Sequence, residues 1–293
     1  MDFAARLKVY RTNAKLSQEQ VAEKLHVSRQ AITKWETGRG LPDMENLISV
    51  AKLLDVSIDE LIYGEVRSEL TRGFKYESKI EYDLDEVKHF DLVVEAAKNI
   101  KLRGYDGEKL HVSLMSDEIA NLARLLKIKL DDQKKILDLT LKKDKALTIA
   151  TLQENLFVEI LLPKEYLGSV ELQSKADSIT ITDLKQTHLE LGGKLHEINL
   201  EDLNGRVEID CNTDLKINCA NSKGRLEINQ IKASSILHLS EELKIQALVS
   251  GMKNRILFAT KGSPSDDFSS ESPDLTIELN GLKSELIIDR GVI

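Results

Sequence analysis

Polar side chains that can form paired hydrogen bonds share one side of a short segment of this sequence: Arg29, Gln30, Thr33 and Lys34. Their spacing brings them together if the segment is helical, and it turns Ile32 and Trp35, the only tryptophan of the chain, toward the opposite side. Arginine and lysine can donate to O6 and N7 of guanine, and glutamine can pair with N6 and N7 of adenine. The row therefore has the chemistry required to contact base edges in the major groove of duplex DNA.

Two short helices joined by a tight turn are predicted to position this row. Ser17, with Gln20 three residues later, has the spacing of a capping box, and Ser28 precedes the second helix. Ala22 is small enough for the second helix to cross the first closely, and His26 occupies the turn. Histidine tolerates left-handed backbone geometry less easily than glycine, but better than a β-branched residue. Such a pair of helices is a helix-turn-helix, whose second helix enters the major groove.

The segment 16–62, "LSQEQVAEKLHVSRQAITKWETGRGLPDMENLISVAKLLDVSIDELI", resembles the Xre/Cro/CI-type helix-turn-helix domain of bacterial and phage repressors. The resemblance implies that bases are contacted by Arg29, Gln30, Thr33 and Lys34. Contacts to the DNA backbone are expected from polar residues around the two helices, namely Lys15, Ser17, Gln18, Ser28, Thr37 and Arg39. The resemblance also implies an ion pair between Arg11 of the first helix and Glu36, the glutamate after the tryptophan.

Two alternatives compete with DNA contact. An outward polar row is in most proteins a solvated surface, and some members of this fold are protein-binding modules or RNA-associated factors. The solvated surface would also have to explain the spacing of the core residues, the helix caps and the following "LPDMENL". DNA binding explains all of these together, and we favour it.

Charge and composition limit the classes of protein that the chain can represent. Its 293 residues have a formal net charge of -8, yet residues 1–64 contain nine Lys and Arg against nine Asp and Glu, so the acidic excess follows them. DNA contact must therefore use a local patch, with the acidic remainder held away by repulsion. No apolar run approaches the ~18 residues of a membrane helix, and no signal-peptide core is found at the start. Two cysteines are too few for a disulfide framework. We expect a cytoplasmic protein without membrane insertion.

The period of the apolar residues changes near residue 65, which predicts an α part followed by an all-β part. Residues 1–64 have helical spacing and are predicted to form five short helices, the DNA-binding domain. Residues 65–76 are polar and are predicted to be a linker. Residues 77–293 alternate apolar and polar side chains and are predicted to form strands, with two exceptions. Residues 116–126 are expected to form one inserted helix, and the Ser- and Asp-rich residues 261–274 a surface loop.

The strand region also repeats every nineteen residues or so. One row of identical residues is Ile160, Ile179, Ile198, Ile217 and Ile236, and a second row is Leu189, Val207, Leu226 and Ile245. A constant period favours a parallel β-solenoid with repeats of about 19 residues, because each coil buries its inward side chains against its neighbours. An open β-sandwich is the alternative, and residues 77–155 are predicted to be first coils or a strand-rich cap. The pattern resembles, more loosely, the adhesin-like β-solenoid domain of bacterial envelope-stress and regulatory proteins.

No catalytic constellation is found in the strand region. Asp183 and Asp202 lie nineteen residues apart and could line a lyase-type cleft, but acidic turn residues explain them more simply. The histidines at 188, 196 and 238 lack metal-motif companions, so no metal is predicted. Cys219 shares a row with Ile181 and Leu200 and is expected to be buried. We therefore predict neither cofactor nor enzymatic activity.

Together these observations predict a sequence-specific, DNA-binding transcriptional regulator. It is expected to act as a repressor, as a homodimer on an inverted-repeat operator, because one domain of this size buries little DNA surface. The β domain would sense a signal or mediate oligomerisation, and its partner would be an unidentified ligand, peptide or protein. The alternative is a protein-interaction scaffold whose β-solenoid binds an envelope component or a peptide, with DNA binding secondary.

Overall fold

The computed structural model describes residues 3–54, 56, 61, 73–240, 242–259 and 272–291. The chain divides into two compact units, Met1–Glu69 and Leu70–Ile293, called here the helical unit and the β unit. Most of the predicted linker 65–76 and of the predicted loop 261–274 lies outside the described residues, although Tyr76 already begins the first strand. No helix in the described part of the chain is long and apolar enough to cross a membrane.

The helical unit shows four helices where it is described: α1 (Phe3–Asn13), α2 (Gln18–Leu25), α3 (Arg29–Glu36) and α4 (Met44–Leu54). The fifth predicted helix would follow α4, where only residues 56 and 61 are described. A single apolar core joins the helices. Its buried members include Leu7, Val21, Ile32, Trp35, Leu47 and Val50.

Side-chain caps begin the helices where the sequence predicts them. Ser17 Oγ accepts from the backbone N–H of Gln20 at 3.1 Å while the backbone N–H of Ser17 donates to Gln20 Oε1 at 2.8 Å, which is a complete capping box. Ser28 Oγ accepts from the N–H of Ala31 at the start of α3. Between α2 and α3, His26 adopts φ 55° and ψ 36°. The turn thus has left-handed geometry without a glycine.

The β unit contains sixteen strands in its described residues. They are β1 (Tyr76–Asp83), β2 (Lys88–Tyr105), β3 (Lys109–Ser116), β4 (Leu126–Gln133), β5 (Ile136–Lys143), β6 (Phe157–Pro163), β7 (Leu167–Thr182), β8 (Lys185–Glu201), β9 (Asn204–Asp210), β10 (Lys216–Ala220), β11 (Lys223–Ile231), β12 (Ser234–Leu239), β13 (Ile245–Val249), β14 (Arg255–Phe258), β15 (Leu275–Leu282) and β16 (Glu285–Arg290). Short helices α5 (Leu122–Leu125) and α6 (Ile149–Asn155) and the 3₁₀ turn Lys164–Tyr166 complete the unit.

Most neighbouring strands of the β unit are parallel and form two runs. One run has the order β5–β2–β7–β8–β9–β11–β15–β13, and the other the order β6–β2–β7–β8–β10–β12–β16–β14. The long strands β2, β7 and β8 belong to both runs. The first part of each of these strands pairs within the first run, and the second part pairs within the second run. The sheet is not closed. The first run is extended beyond β5 by β4, so its described edge strands are β4 and β13; the second run is extended beyond β6 by β3 and β1, so its described edge strands are β1 and β14.

The first predicted row of isoleucines is correct at its centre and wrong at both ends. Ile179, Ile198 and Ile217 lie side by side on β7, β8 and β10. Ile217 then faces Leu237, while Ile236 lies opposite Lys216 with its side chain exposed. The reason is a longer link. Ile228 and Leu237 are nine positions apart, whereas the corresponding Ile209 and Ile217 are eight apart. Because side chains alternate between the two faces of a strand, one extra residue in the link places Leu237 instead of Ile236 on the buried face. At the other end, Ile160 lies opposite Leu102 of β2, not Ile179.

The second predicted row is interrupted by an insertion. Leu189, Val207 and Leu226 are neighbours on β8, β9 and β11, as expected. The next partner of Leu226 is Ile277 of β15, and the predicted partner Ile245 lies beyond it, opposite Leu275. The last two described strands, β15 and β16, therefore lie between the strands β11 and β12 and the strands β13 and β14. This long-range insertion leaves no signal in a local period.

Residues 77–155 combine antiparallel and parallel pairs. The pairs β1–β3, β3–β6 and β4–β5 are antiparallel. The helix predicted for residues 116–126 is wrong in extent: Ser116 ends β3, Asn121 adopts φ 56°, and only Leu122–Leu125 are helical. The left-handed residue separates the short helix from Ser116, whose hydroxyl accepts from the N–H of Ile119. Helix α6 was not predicted, although threonine is a typical residue at the start of a helix. Here Thr148 Oγ1 accepts a hydrogen bond from the N–H of Thr151.

Candidate nucleic-acid interface

Helix α3 presents unoccupied hydrogen-bonding groups on a rigidly held face. Ile32 and Trp35 are buried in the core of the helical unit, which fixes the rotation of the helix. The side chains of Arg29, Gln30 and Lys34 are exposed, and within the described structure they form neither a hydrogen bond nor an ion pair. The face therefore offers two cations and one amide to an external partner without breaking any internal bond.

The hydroxyl groups around this face are already bonded inside the protein. Ser17 and Ser28 cap α2 and α3. Thr33 Oγ1 donates to Gln18 Oε1 at 3.2 Å and contacts the carbonyl of Arg29 at 3.1 Å. Thr37 Oγ1 donates to the carbonyl of Thr33 at 2.7 Å. Thr33 and Thr37 donate their protons inside the protein and can still accept a hydrogen bond, whereas Ser17 and Ser28 only accept in their caps and keep a hydroxyl proton that a phosphate could accept.

A buried carboxylate joins three helices behind the face. Glu36 accepts from Arg11 Nε at 2.5 Å and from Arg11 Nη2 at 3.1 Å, and its Oε2 also accepts from Gln18 Nε2 at 2.7 Å. The hydrogen bond to Glu36 raises the pKa of Arg11 above its ordinary value. Arg11 Nη1 donates further to the carbonyl of Leu16. The predicted partners Arg11 and Glu36 are thus brought together at the junction of α1, α2 and α3.

Gln18 has a position that sequence reasoning assigned only in part. It was expected to contact the DNA backbone, but its amide spans Glu36 and Thr33 inside the protein. The sequence contains one indication of this, since a glutamate next to a core tryptophan needs donors when it is buried. Lys15, with φ 54°, and Arg39 are exposed near the starts and ends of these helices, and no ion pair is found for either among the described residues.

The two aspartates considered for a lyase-type cleft, Asp183 and Asp202, lie at tight turns of the β unit. Asp183 and Asp202 adopt φ 58° and 52°, the left-handed geometry that tight turns require. The carboxylate of Asp183 forms ion pairs with Lys164 and with Lys185. Turn formation and pairing therefore account for this aspartate without a reaction.

A continuous row of carboxylates crosses the first run of strands. Its members occupy the same register position on neighbouring strands: Asp138, Asp91, Glu171, Glu190, Glu208, Glu227 and Glu278. Arg206 bridges Glu208 and Glu227, and Arg225 bridges Glu227 and Glu278. At the other end of the row, burial and then the charges of Glu171 and Asp138 raise the pKa of Asp91.

One group in the described residues has the spacing of a metal site. His188, Glu190 and Glu208 bring one ligand atom each within 4.8 Å of one another. Both oxygens of Glu208 are occupied, however, because Oε2 contacts Arg206 at 3.2 Å and Oε1 accepts from Asn229 at 2.8 Å. Glu208 is therefore already bonded to a guanidinium and an amide, and the group carries no metal assignment.

The interior of the β unit is apolar where Cys219 lies. This residue faces Leu200 and Leu239 on adjacent strands, and burial raises the pKa of its thiol to about 11. On the outer surface, a polar depression of about 390 Å³ is lined by residues that include Asn199, Asn218, His238 and Asp289.

Comparison with known proteins places the helical unit. A family model described as helix-turn-helix matches residues 7–61. The HTH-type transcriptional activator BcrR of Enterococcus faecalis is 52% identical over 65 residues, which are 22% of this chain and 32% of BcrR. An uncharacterized HTH-type transcriptional regulator of Methanocaldococcus jannaschii, MJ0272, is 38% identical over 60 residues, 20% of this chain and 91% of that protein. The match thus spans about a third of BcrR and nearly all of MJ0272.

A comparison of structures covers the rest of the chain. A candidate cell adhesion protein from Clostridium sporogenes ATCC 15579 aligns with 74% of this chain and 100% of its own, with 11% sequence identity and a TM-score of 0.36. At these values the similarity identifies no ligand and no activity for the β unit.

Proposed function

Because the chain belongs, through residues 7–61, to the helix-turn-helix family of transcriptional regulators, we propose that it binds duplex DNA in a sequence-specific manner and regulates transcription. One observation carries the proposal. Arg29, Gln30 and Lys34 lie exposed and unbonded, within the described residues, on a helix whose opposite side is locked in the core. Such a helix can enter a major groove and discriminate bases without rearrangement.

The assignment of polar residues to base edges and to the DNA backbone is part of the proposal. Base edges are contacted by Arg29, Gln30 and Lys34, with Thr33 beside them. The DNA backbone is contacted by Lys15, Ser17, Gln18, Ser28, Thr37 and Arg39. Among these, Gln18 contributes mainly by holding α2 against α3, since its amide is bonded to Glu36 and Thr33. Lys15 and Arg39 supply the charge that phosphates attract.

The operator and the sign of regulation are also proposed. A homodimer would place two copies of α3 about one helical turn apart on an inverted repeat. Repression requires only that the bound protein occupies a promoter, with no further contact, and we propose this direction. BcrR is named an activator, so activation is the competing outcome in a reporter assay. The site of action would be the cytoplasm.

The β unit is proposed to be a β-solenoid with repeats of about 19 residues that senses a signal or mediates oligomerisation. Parallel pairing of β7, β8, β9 and β11 at offsets of eighteen or nineteen residues supports this. The second candidate function is a scaffold whose β unit binds another molecule, and the polar depression around Asn218 and His238 favours it. No catalytic step belongs to either proposal.

Selection from a pool of random duplexes, with the purified full-length protein at physiological salt, tests the proposed function. We expect enrichment of one motif with two-fold symmetry. A pool that stays random after repeated rounds, while the protein remains folded, would contradict DNA recognition and favour the scaffold. A reporter gene under the selected motif then distinguishes repression from activation.

A further inference from the structure

Three neighbouring links of the β unit share a two-residue pattern, an apolar residue followed by a lysine. The pairs are Ile231–Lys232 between β11 and β12, Leu282–Lys283 between β15 and β16, and Met252–Lys253 between β13 and β14. Leu282 is paired with Ile231 on one side and with Met252 on the other. The N–H of Lys232 donates to the carbonyl of Leu282, and the N–H of Lys283 to that of Met252, both at 2.9 Å. The three lysines therefore form one row and the three apolar residues a second row beside it, and we call these six residues the lysine ridge.

The backbone at the three lysines is not one that lysine favours. Lys232, Lys283 and Lys253 adopt φ 55°, 53° and 59°, the left-handed region. Glycine, asparagine and aspartate enter this region most readily. The turns that lead from the second run of strands back to the first use such residues, namely Asp202 and Asn221. Lysine in the ridge therefore does not serve the turn, and its charge is the property left to explain.

The charges of the ridge are unpaired although the chain as a whole is acidic. All three lysines are exposed, and in the described residues none of them has a salt bridge or a side-chain hydrogen bond. In the sequence of the links that follow β9, β11, β13 and β15, Asp214 is the only carboxylate. Two more exposed lysines, Lys175 and Lys194, are neighbours where β7 and β8 pass from the first run to the second. This side of the β unit is thus basic in a chain of net charge -8.

The apolar row of the ridge is open to solvent. Ile231 is 50% exposed and Met252 is 66% exposed, with Leu282 partly covered between them. Exposed apolar residues are usually scattered singly, whereas a contiguous set marks an interaction site. The chain leaves β14 at Phe258 and enters β15 at Leu275, both at the strand ends away from the ridge. The ridge is therefore complete within the described residues.

We propose that the lysine ridge is the surface through which the β unit binds an anionic lipid bilayer, lying on the bilayer without crossing it. The three ammonium groups contact lipid phosphates, and the apolar row reaches the boundary between headgroups and acyl chains. Neighbouring strands are about 4.8 Å apart, so the three charges span about 10 Å. This span is wider than one phosphate group and fits a continuous anionic surface.

Duplex DNA also offers phosphates, but the apolar row favours the bilayer. Contacts to the DNA backbone come from charged and polar groups, so Ile231 and Met252 would gain nothing there. At a bilayer the same side chains leave water as the lysines meet the headgroups. This contact goes beyond the proposed function and does not depend on it. Bilayer binding and DNA binding can therefore fail separately.

Co-flotation of the purified full-length protein with vesicles tests the proposal. Vesicles of phosphatidylcholine with one third phosphatidylglycerol are compared with vesicles of phosphatidylcholine alone. We expect binding to the anionic vesicles only, and we expect it to weaken as salt is added, because counter-ions screen the lysines. Equal flotation with both kinds of vesicle, or no flotation with the anionic ones, would overturn the proposal.

Two variants separate the charges of the ridge from its apolar row. Lys232→Asn/Lys253→Asn/Lys283→Asn should keep the fold, because asparagine tolerates left-handed geometry, and should bind anionic vesicles at least about tenfold more weakly. Ile231→Ser/Met252→Ser keeps every charge and should bind severalfold more weakly, with an unchanged far-ultraviolet circular dichroism spectrum. If this second variant binds like the wild type, the apolar row does not reach the bilayer and the proposal is wrong.

A control variant tests whether net charge alone attracts the protein to the vesicles. Lys127→Gln/Lys129→Gln/Lys142→Gln removes the same number of charges from exposed lysines of β4 and β5. It should bind anionic vesicles like the wild type. A loss equal to that of the asparagine variant would show that the ridge has no special role.

DNA binding by the asparagine variant distinguishes the two sources of phosphate. The variant should bind random duplex DNA as tightly as the wild type. A loss on DNA that matches the loss on vesicles would show that the ridge contacts any phosphate backbone, and the bilayer assignment would be wrong. Vesicle binding by a protein without any DNA preference would leave this inference intact and remove the proposed function.

Discussion

The side-chain amide of Gln18 donates a hydrogen bond of 2.7 Å to the buried carboxylate of Glu36, which joins the first residue of α2 to the last residue of α3. The same carboxylate holds Arg11 of α1. The two helices of the helix-turn-helix are therefore fixed by a polar contact as well as by Ile32 and Trp35. A rigid angle between them would let α3 enter a groove as a unit, as the proposed function requires.

Replacing Glu36 by alanine is expected to destabilise the helical unit by about 3 kcal/mol, because the charge of Arg11 is left without its partner at a largely buried site. Urea unfolding followed by the fluorescence of Trp35 measures this, since the only tryptophan lies in that core. Glu23→Ala, an exposed glutamate on α2, is the control and should change little. Equal stability of the two variants would mean that the Arg11–Glu36 contact has no structural role.

Gly193→Ala is expected to destabilise the β unit by at least about 2 kcal/mol. Gly193 has φ 119°, and a Cβ there would lie 1.9 Å from the carbonyl oxygen of Ser174 on the adjacent strand. Thermal unfolding followed in the far-ultraviolet detects the loss. Gly291→Ala, where a Cβ meets nothing within 4 Å, is the control. A neutral Gly193→Ala would show that β7 and β8 are not packed in this register.

Asp91→Asn should stabilise the β unit by about 0.5 kcal/mol at neutral pH, because it removes one charge from a row of facing carboxylates. Folding raises the pKa of Asp91, so in the pH range of its titration the folded protein binds more protons than the unfolded chain. The free energy of unfolding therefore falls as the pH rises through this range. The stability gained by Asp91→Asn should therefore fade below about pH 3.9, the ordinary pKa of an aspartate. Glu95→Gln, on the same strand but outside the row, should show no such pH dependence. A gain that persists in acid would rule out the charge explanation.

Cys219 should resist alkylation by iodoacetamide at pH 8 in the native protein. Burial raises the pKa of its thiol to about 11, so roughly one molecule in a thousand holds the reactive thiolate at pH 8. Modification is read by peptide mass before and after unfolding in guanidinium. Lys216→Cys, exposed on the same strand β10, provides the reactive reference. Equal rates at both positions would place Cys219 outside the core.

The sequence predicts the local features of the fold well, and the reason is physical. Caps such as Ser17 act within one turn of helix, and an alternating strand buries one face wherever it pairs. The stacking of Ile179, Ile198 and Ile217 follows from the period of nineteen residues. The predicted row of isoleucines fails at Ile236 because the link before β12 has one added residue, which places Ile236 on the exposed face. This added residue cannot be recognised before the strand pairing is known.

The candidate site was predictable in its residue types and less so in its bonding. Arg29, Gln30 and Lys34 project from the outer face of a short helix, so their exposure follows from helical spacing alone. Contact of Gln18 with the DNA backbone stays a prediction, and the orientation of its amide depends on Glu36, eighteen residues away. The insertion of β15 between β11 and β13 is a contact of the same long-range kind. Periods detect neighbours along the chain, not partners brought from afar.

The most direct test of DNA recognition by α3 compares Arg29→Ala, Gln30→Ala and Lys15→Ala on the duplex obtained by selection and on random DNA, at several salt concentrations. We expect Arg29→Ala and Gln30→Ala each to lose about 1–3 kcal/mol on the selected duplex, to relax preference at one base position, and to change little on random DNA. Lys15→Ala should weaken binding to both duplexes equally and lower the salt dependence by about one counterion. If all three variants weaken binding to selected and random DNA to the same extent, α3 does not read bases and the account is wrong.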